Sequence, residues 1–168
     1  MKIQLLLVSL TALPLFSQEK VHVTGAKITE VGIYEAVVKT DTTNSAGLKL
    51  QELADAKLLK TTTNVPARLG VRFGFRYEIL GAPSNAPIKV SMVAKHPPIK
   101  NPVTGKTTIS DSYQYGSWIG KTFTCNSLDT ESELVPGKWT FEILHEGKKL
   151  CEQSFLLVPD RELNPRKR

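Results

Sequence analysis

The chain has 168 residues, with 22 basic side chains against 16 acidic ones and a net charge of +6. That length fits one domain able to bury roughly 70% of its unfolded surface. The basic excess suits contact with an anionic surface, but without interleaved basic and aromatic motifs it argues against nucleic acid.

Met1-Lys2 is a short basic start, followed over residues 3–16 by an uncharged run rich in Leu, Val, Ala and Ile, closed by Ser17. These are the parts of a secretory signal peptide, expected over residues 1–17 and removed on export. The run is too short to span a bilayer and is interrupted by Pro14, so a cleaved leader is preferred to an anchor. The expected location is periplasmic or extracellular. At the other end, residues 159–168 finish in Arg166-Lys167-Arg168, a basic tail of the kind that is usually solvated and disordered. A single domain is expected between them, over residues 21–158.

Residues 26–39 read as a first strand, with Val31, Ile33 and Val37 on one side; the alternation slips near Gly32, which predicts a bulge. Asp41 to Gly47 reads as a loop, and 48–53 fits either a helical turn or an edge strand. A second strand is expected over 57–63, stopped by Asn64-Val65-Pro66. The cleanest strand spans 70–80: Val71, Phe73, Phe75, Tyr77 and Ile79 point one way, Arg72, Gly74, Arg76 and Glu78 the other. A turn over 81–87 leads to alternating Ile88, Val90, Met92 and Ala94. Residues 97–105 carry Pro97, Pro98 and Pro102 and read as a rigid loop reversed at Gly105. Then 107–118 is a strand with Ile109, Tyr113 and Tyr115 on one parity, and 128–134 is an edge strand or short turn. Finally, residues 134–158 form a β-hairpin around Glu146-Gly147-Lys148, with Trp139, Phe141 and Ile143 on its apolar face. About seven to eight short strands without a long helix define the fold class as all-β, an antiparallel immunoglobulin-like β-sandwich. The hairpin and residues 70–80 supply its facing aromatic surfaces.

Two cysteines in an oxidising compartment invite one disulfide, Cys125–Cys151, closing a loop of roughly 25 residues worth about 3 kcal/mol. The alternative is two small buried thiols that never meet.

Four blocks carry a family resemblance: residues 25–36, 65–77, the Asn101-Pro-Val-Thr-Gly-Lys106 segment, and Glu133-Leu-Val-Pro-Gly-Lys-Trp-Thr-Phe-Glu142. Across nearly the whole mature chain they resemble a bacterial family catalogued as a domain of unknown function, numbered 3859. The resemblance implies a small single-domain protein and transfers no activity and no functional residue. The closing Pro-Gly-x-Trp-x-Phe hairpin is also similar to the last strands of bacterial immunoglobulin-like modules, a likeness of fold only.

Catalytic motifs are missing: no Gly-x-Ser-x-Gly elbow, no His-Glu-x-x-His, no phosphate-binding loop and no Cys-x-x-Cys. His22, His96 and His145 lack metal-ligand spacing, so neither a metal nor a cofactor is expected. Asp129, Glu131 and Glu133 share a parity, as paired glycosidase carboxylates would, but acids beside a strand are far more often a solvated edge. The candidate binding face comprises Arg68, Arg72 and Arg76 with the aromatics Tyr113 and Trp118. Guanidinium forks beside bare Gly74 suit a carboxylate or a sugar ring. The plainer expectation is salt bridging to Glu78 or Glu142 on neighbouring strands. The function expected is a non-catalytic binding module for a protein or envelope component. A carbohydrate or small-ligand module is the alternative, and a small hydrolase ranks below both.

Overall fold

Strict alternation around Phe73 and Phe75 gives a strand whose two faces meet different surroundings, and the whole architecture follows from covering both. The computed structural model describes residues 20–43, 49–101 and 104–160. Within them run β1 (His22–Thr43), β2 (Lys49–Thr61), β3 (Asn64–Ala67), β4 (Arg72–Ala82), β5 (Pro87–Lys100), β6 (Thr107–Trp118), β7 (Gly120–Ser127), β8 (Gly137–His145) and β9 (Lys148–Pro159). One sheet has the order β2-β1-β4-β7, the other β3-β9-β8-β5-β6. The chain therefore passes repeatedly between two packed sheets, as an immunoglobulin-like sandwich does. The expected leader at 1–17 and most of the tail, 161–168, lie outside the described residues.

The core is the meeting of β4 with the closing hairpin. Phe73, Phe75 and Tyr77 are each 0% exposed, facing Phe141 and Phe155 of the other sheet. Phe73 touches Trp139, Phe141 and Phe155 with ring centroids 6.0, 5.7 and 5.1 Å apart, mostly edge to face. Each such ring contributes about 1.5–3 kcal/mol on burial. Ile88, Val90, Met92 and Ala94 of β5 fill the same layer, as their alternation predicted.

Two expectations are met or narrowed and two change. The bulge expected near Gly32 is present, between Ile33 and Tyr34 in the β1–β2 ladder. Residues 49–53 belong to the edge strand β2 and not to a helical turn. Asn64-Val65-Pro66 does not merely stop a strand: it forms β3, parallel to β9 in the opposite sheet. Pro66 is tolerated because β3 is an edge, where a missing N–H leaves no ladder bond unmade. Lastly, the expected loop 97–105 begins as strand, since β5 runs to Lys100. Its ladder jumps from Lys95↔Ser110 to Ile99↔Thr108, so His96, Pro97 and Pro98 together face Ile109. Prolines cannot donate to a ladder, and an enlarged bulge accommodates them. The reversal itself is tight, with Gly105 N–H donating to Asn101 O at 2.9 Å.

Candidate functional site

Gly74 separates Arg72 from Arg76 on the outer face of β4, and the structure gives both arginines internal work. Arg76 Nε donates to Glu30 Oε1 at 3.0 Å, and its Nη2 donates to the carbonyl of Ala56 on β2. Arg72 Nη1 donates to Ala36 O at 2.9 Å, just past the point where β1 outruns β4. The two guanidiniums thus hold the β1–β2 ribbon to the body. Between them, Tyr34 reaches Phe123 at 4.7 Å over a surface left bare by Gly74, while Arg76 lies 5.4 Å above the Phe123 ring. A Cβ at Gly74 would run into Thr124 O and the Cβ of Cys125, and one at Gly32 into Lys60 O. Tyr34 is 2% exposed, and burial together with Glu30, which accepts its hydroxyl at 3.0 Å, pushes its phenol well above the ordinary range. This face is a second small core. The salt-bridge partner is Glu30, not Glu78 or Glu142; Glu142 instead binds Lys95 and Lys149 at 2.9 and 3.4 Å.

The other residues of the expected face lie elsewhere. Arg68 is an exposed residue 3.9 Å from Asp160. Tyr113 points inward from β6, its hydroxyl against Met92 Sδ at 3.6 Å. Beside it Tyr115 and Tyr77 share a hydroxyl–hydroxyl bond of 2.9 Å across the sheets. Burial pushes Tyr77 up to about 12 and Tyr113 and Tyr115 higher still, the behaviour of neutral phenols in a dry edge of the core. Trp118 is on the surface, 48% exposed, its indole N–H donating to Lys121 O at 3.1 Å. The five residues Arg68, Arg72, Arg76, Tyr113 and Trp118 therefore do not converge.

The expected disulfide is corrected as well, because Cys125 and Cys151 are both free thiols. Cys125 lies in β7 opposite Gly74, on the outer face of its sheet, whereas Cys151 lies in β9 opposite Ile143 in the other sheet. Burial pushes Cys125 up to about 12, against the pull of nearby Arg72, and Cys151 up to about 11. Neither is a reactive thiolate.

His96, in the β5 bulge, faces Pro97 O at 2.8 Å and Asp111 Oδ2 at 3.2 Å, and stacks on Trp139 at 5.1 Å. With both nitrogens occupied it is a structural histidine. Glu133 accepts the N–H groups of Asp129 and Thr130 at 2.8 and 2.7 Å, capping a single 3-10 turn, Glu131–Glu133. The acidic run is thus a turn with its own cap. Among the described residues no group of three His, Cys, Asp or Glu side chains is placed to hold a metal.

Among the described residues, one concavity opens to solvent at the end of the sandwich where β1 begins and the β8–β9 hairpin turns. A cleft of about 670 Å³ there is lined by Lys20, His22, Lys89, Gln114, His145 and Glu146, among others. Backbone geometry builds its rim: Glu146 has φ 48° and Gly147 φ 78°, the left-handed pair of a tight hairpin turn. His145 Nδ1 is fixed by Lys89 O at 2.8 Å, which orients the ring at the wall. Pro87, another wall residue, pairs with the exposed Trp118. Four of these side chains are basic or imidazole and one is acidic, so the cleft suits an anionic or polar guest. It holds neither Asp129 nor Glu131. Sequence reading missed it because its residues come from four separated segments; the one legible signal was His145 at the hairpin end.

Comparison with known proteins agrees with the architecture. An immunoglobulin-like protein from Pseudomonas aeruginosa is similar over 84% of this chain and 99% of its own, at 22% identity and a TM-score of 0.55, which shows the fold alone. A putative lipoprotein from Bacillus anthracis aligns over 74% of this chain and 87% of its own at 13% identity, but its TM-score of 0.29 carries no argument. No curated protein matches. Residues 22–157 match the family described as Domain of unknown function (DUF3859), and the chain belongs to that family.

Proposed function

We propose that this DUF3859 sandwich is a non-catalytic interaction module working outside the cytoplasm, engaging a protein or envelope component through the cleft at its β1/β8–β9 end. The observation that carries the reading is that cleft, with Lys20, His22, Lys89 and His145 among its lining residues. Binding residues placed on short loops over a rigid scaffold are the ordinary use of this fold. Export rests on the leader-like sequence of residues 1–17. A pull-down from envelope extract with the tagged protein tests both parts. A bound component should be retained by the native chain and lost on Lys89→Glu, which puts an acid where a base stood. Retention unchanged by Lys89→Glu, or turnover of a substrate by the purified protein, overturns the reading.

A carbohydrate or small-ligand module is the second reading, favoured by the half-exposed Trp118 beside the cleft wall. Indole faces are common platforms for sugar rings. It requires binding on a glycan array that Trp118→Ala abolishes; an empty array with no thermal shift in sugars removes it.

A further inference from the structure

The outer face of β5 and β6 runs into the cleft and carries an unusual set of side chains there. Ile88, Val90 and Met92 are buried, so Pro87, Lys89 and Ser91 stand on the outer face of β5. On β6 Ser117 is buried, and Trp118, Gly116 and Gln114 take the outer parity. The ladder pairs Pro87 with Trp118, Lys89 with Gly116 and Ser91 with Gln114, giving adjoining rungs of one surface. Pro87, Lys89, Ser91 and Gln114 also line the cleft, so face and cleft are continuous. The half-exposed Trp118 is held by its pyrrole edge: Nε1 donates to Lys121 O, and Cδ1 lies 3.8 Å from where a Cβ of Gly120 would stand. A Cβ on Gly116 would meet nothing within 4 Å, so the space beside the indole is open. Lys95, further along the same face, is neutralised by Glu142. Among the described residues Lys89 has no such carboxylate partner.

We propose that this surface binds an acidic saccharide: one uronic acid ring lies against Trp118 over bare Gly116 and presents its carboxylate to Lys89. The inference rests on reading this end of the sandwich as the binding end, and names the chemical class of its guest. Trp118 and Lys89 stand diagonally across adjacent strands, about 7–8 Å apart, within reach of a single sugar ring and its carboxylate. Ring hydroxyls need neutral donors and acceptors, and Gln114 with Ser91 supplies them on the next rung. An aromatic face already held in place loses little freedom when a guest settles on it. The cleft wall adds a second cation, Lys20, and contains one acid, Glu146. An inorganic anion would engage Lys89 and leave the indole, Gly116 and Gln114 idle. A neutral sugar would leave Lys89 without a partner. A ring that carries a carboxylate uses all of them.

Titration of the full chain near pH 7 with tetragalacturonic acid, and with its neutral methyl ester, tests this. Trp118 and Trp139 are the two tryptophans and Trp139 is buried, so a change in intrinsic fluorescence on binding reports Trp118. The acid should bind about threefold more tightly than the ester, and salt should close the gap by screening the ion pair. Lys89→Gln should bring acid and ester to equal affinity. Trp118→Ala, followed by calorimetry, should weaken both about tenfold, and Trp118→Phe, which keeps an aromatic face, should recover most of that loss. No binding of the acid up to about 10 mM, equal native affinity for acid and ester, or an acid preference that survives Lys89→Gln overturns the inference. So does a tetraglutamate peptide that binds as tightly as the acid, since charge alone would then suffice. An envelope component that is retained by the native chain, lost on Lys89→Glu and not released by tetragalacturonic acid overturns this inference and leaves the reading of the cleft in place.

Discussion

The two faces of β4 use the same alternating residues to opposite ends. Inward, Phe73, Phe75, Tyr77 and Ile79 are sealed in a dry aromatic layer that carries the bulk of the burial. Outward, Arg72, Gly74 and Arg76 look like a solvent face and are instead the floor of a second, polar core. The inner face is held by area, with little directional demand; the outer face is held by directed bonds to carbonyls and one carboxylate. An apolar face announces itself by composition. A polar one is assigned a role only when its partners are seen.

That contrast yields measurable differences, the largest on the inner face. Phe73→Ala should lose about 3–5 kcal/mol, removing the ring that touches three aromatics of the other sheet. Urea denaturation checks it, and a loss under about 1 kcal/mol would mean the sheets repack freely. Gly74→Val comes next, at about 1–3 kcal/mol, since no rotamer avoids the clash with Thr124 O and Cys125. A neutral outcome would disprove the close packing of the outer core.

Arg76→Met should cost up to about 1 kcal/mol, removing one donor from the Ala56 carbonyl and the cation from Glu30, which keeps the Tyr34 hydroxyl, and should raise hydrogen exchange in the β1–β2 ribbon. The exchange readout separates a ribbon clamp from a mere surface charge. The pH profile sharpens the point further. Cys125, Cys151 and Tyr77 have native values raised to about 12, 11 and 12, so they keep their protons where the unfolded chain has lost them. Stability from these groups is complete below about pH 8.5 and drains away as pH climbs through 9 to 12. Cys125→Ser should flatten part of that decline. In the native chain two thiols should react with a thiol reagent in denaturant and almost none in the folded state near pH 8. An intact mass that rises by two hydrogens on reduction would restore the disulfide.

The smallest effect belongs to the exposed network of Glu142 with Lys95 and Lys149. Lys95 holds the Glu142 carboxyl below its usual range, so its contribution is present above the ordinary carboxylate value and lost as pH falls. With Lys95 more than half exposed, solvent screening leaves Glu142→Gln within about 0.5 kcal/mol of the native chain.

Much of the fold was legible because burial imposes period two on a strand. β4, the first half of β5 and the β8–β9 hairpin were all visible as alternating apolar runs, and an aromatic-rich pair of such runs requires two sheets. Position in a sheet was not visible. Nothing local to Asn64-Val65-Pro66 says that it crosses to the far sheet, or that Pro97-Pro98 sits in a bulge. The candidate face of Arg68, Arg72, Arg76, Tyr113 and Trp118 dispersed for the same reason. Parity tells which way a side chain points, but not what stands opposite.

By itself, then, the sequence determined that this is a two-sheet β protein and which residues seal its interior, because hydrophobic burial is non-directional and is written in composition and period. Tertiary structure alone decided the fate of the polar residues. Arg76 finds Glu30 through strand order, the two cysteines are separated by sheet assignment, and the cleft around His145 is assembled from four segments. Hydrogen bonds and ion pairs are short-ranged and directional, so their partners are fixed by which strands lie side by side.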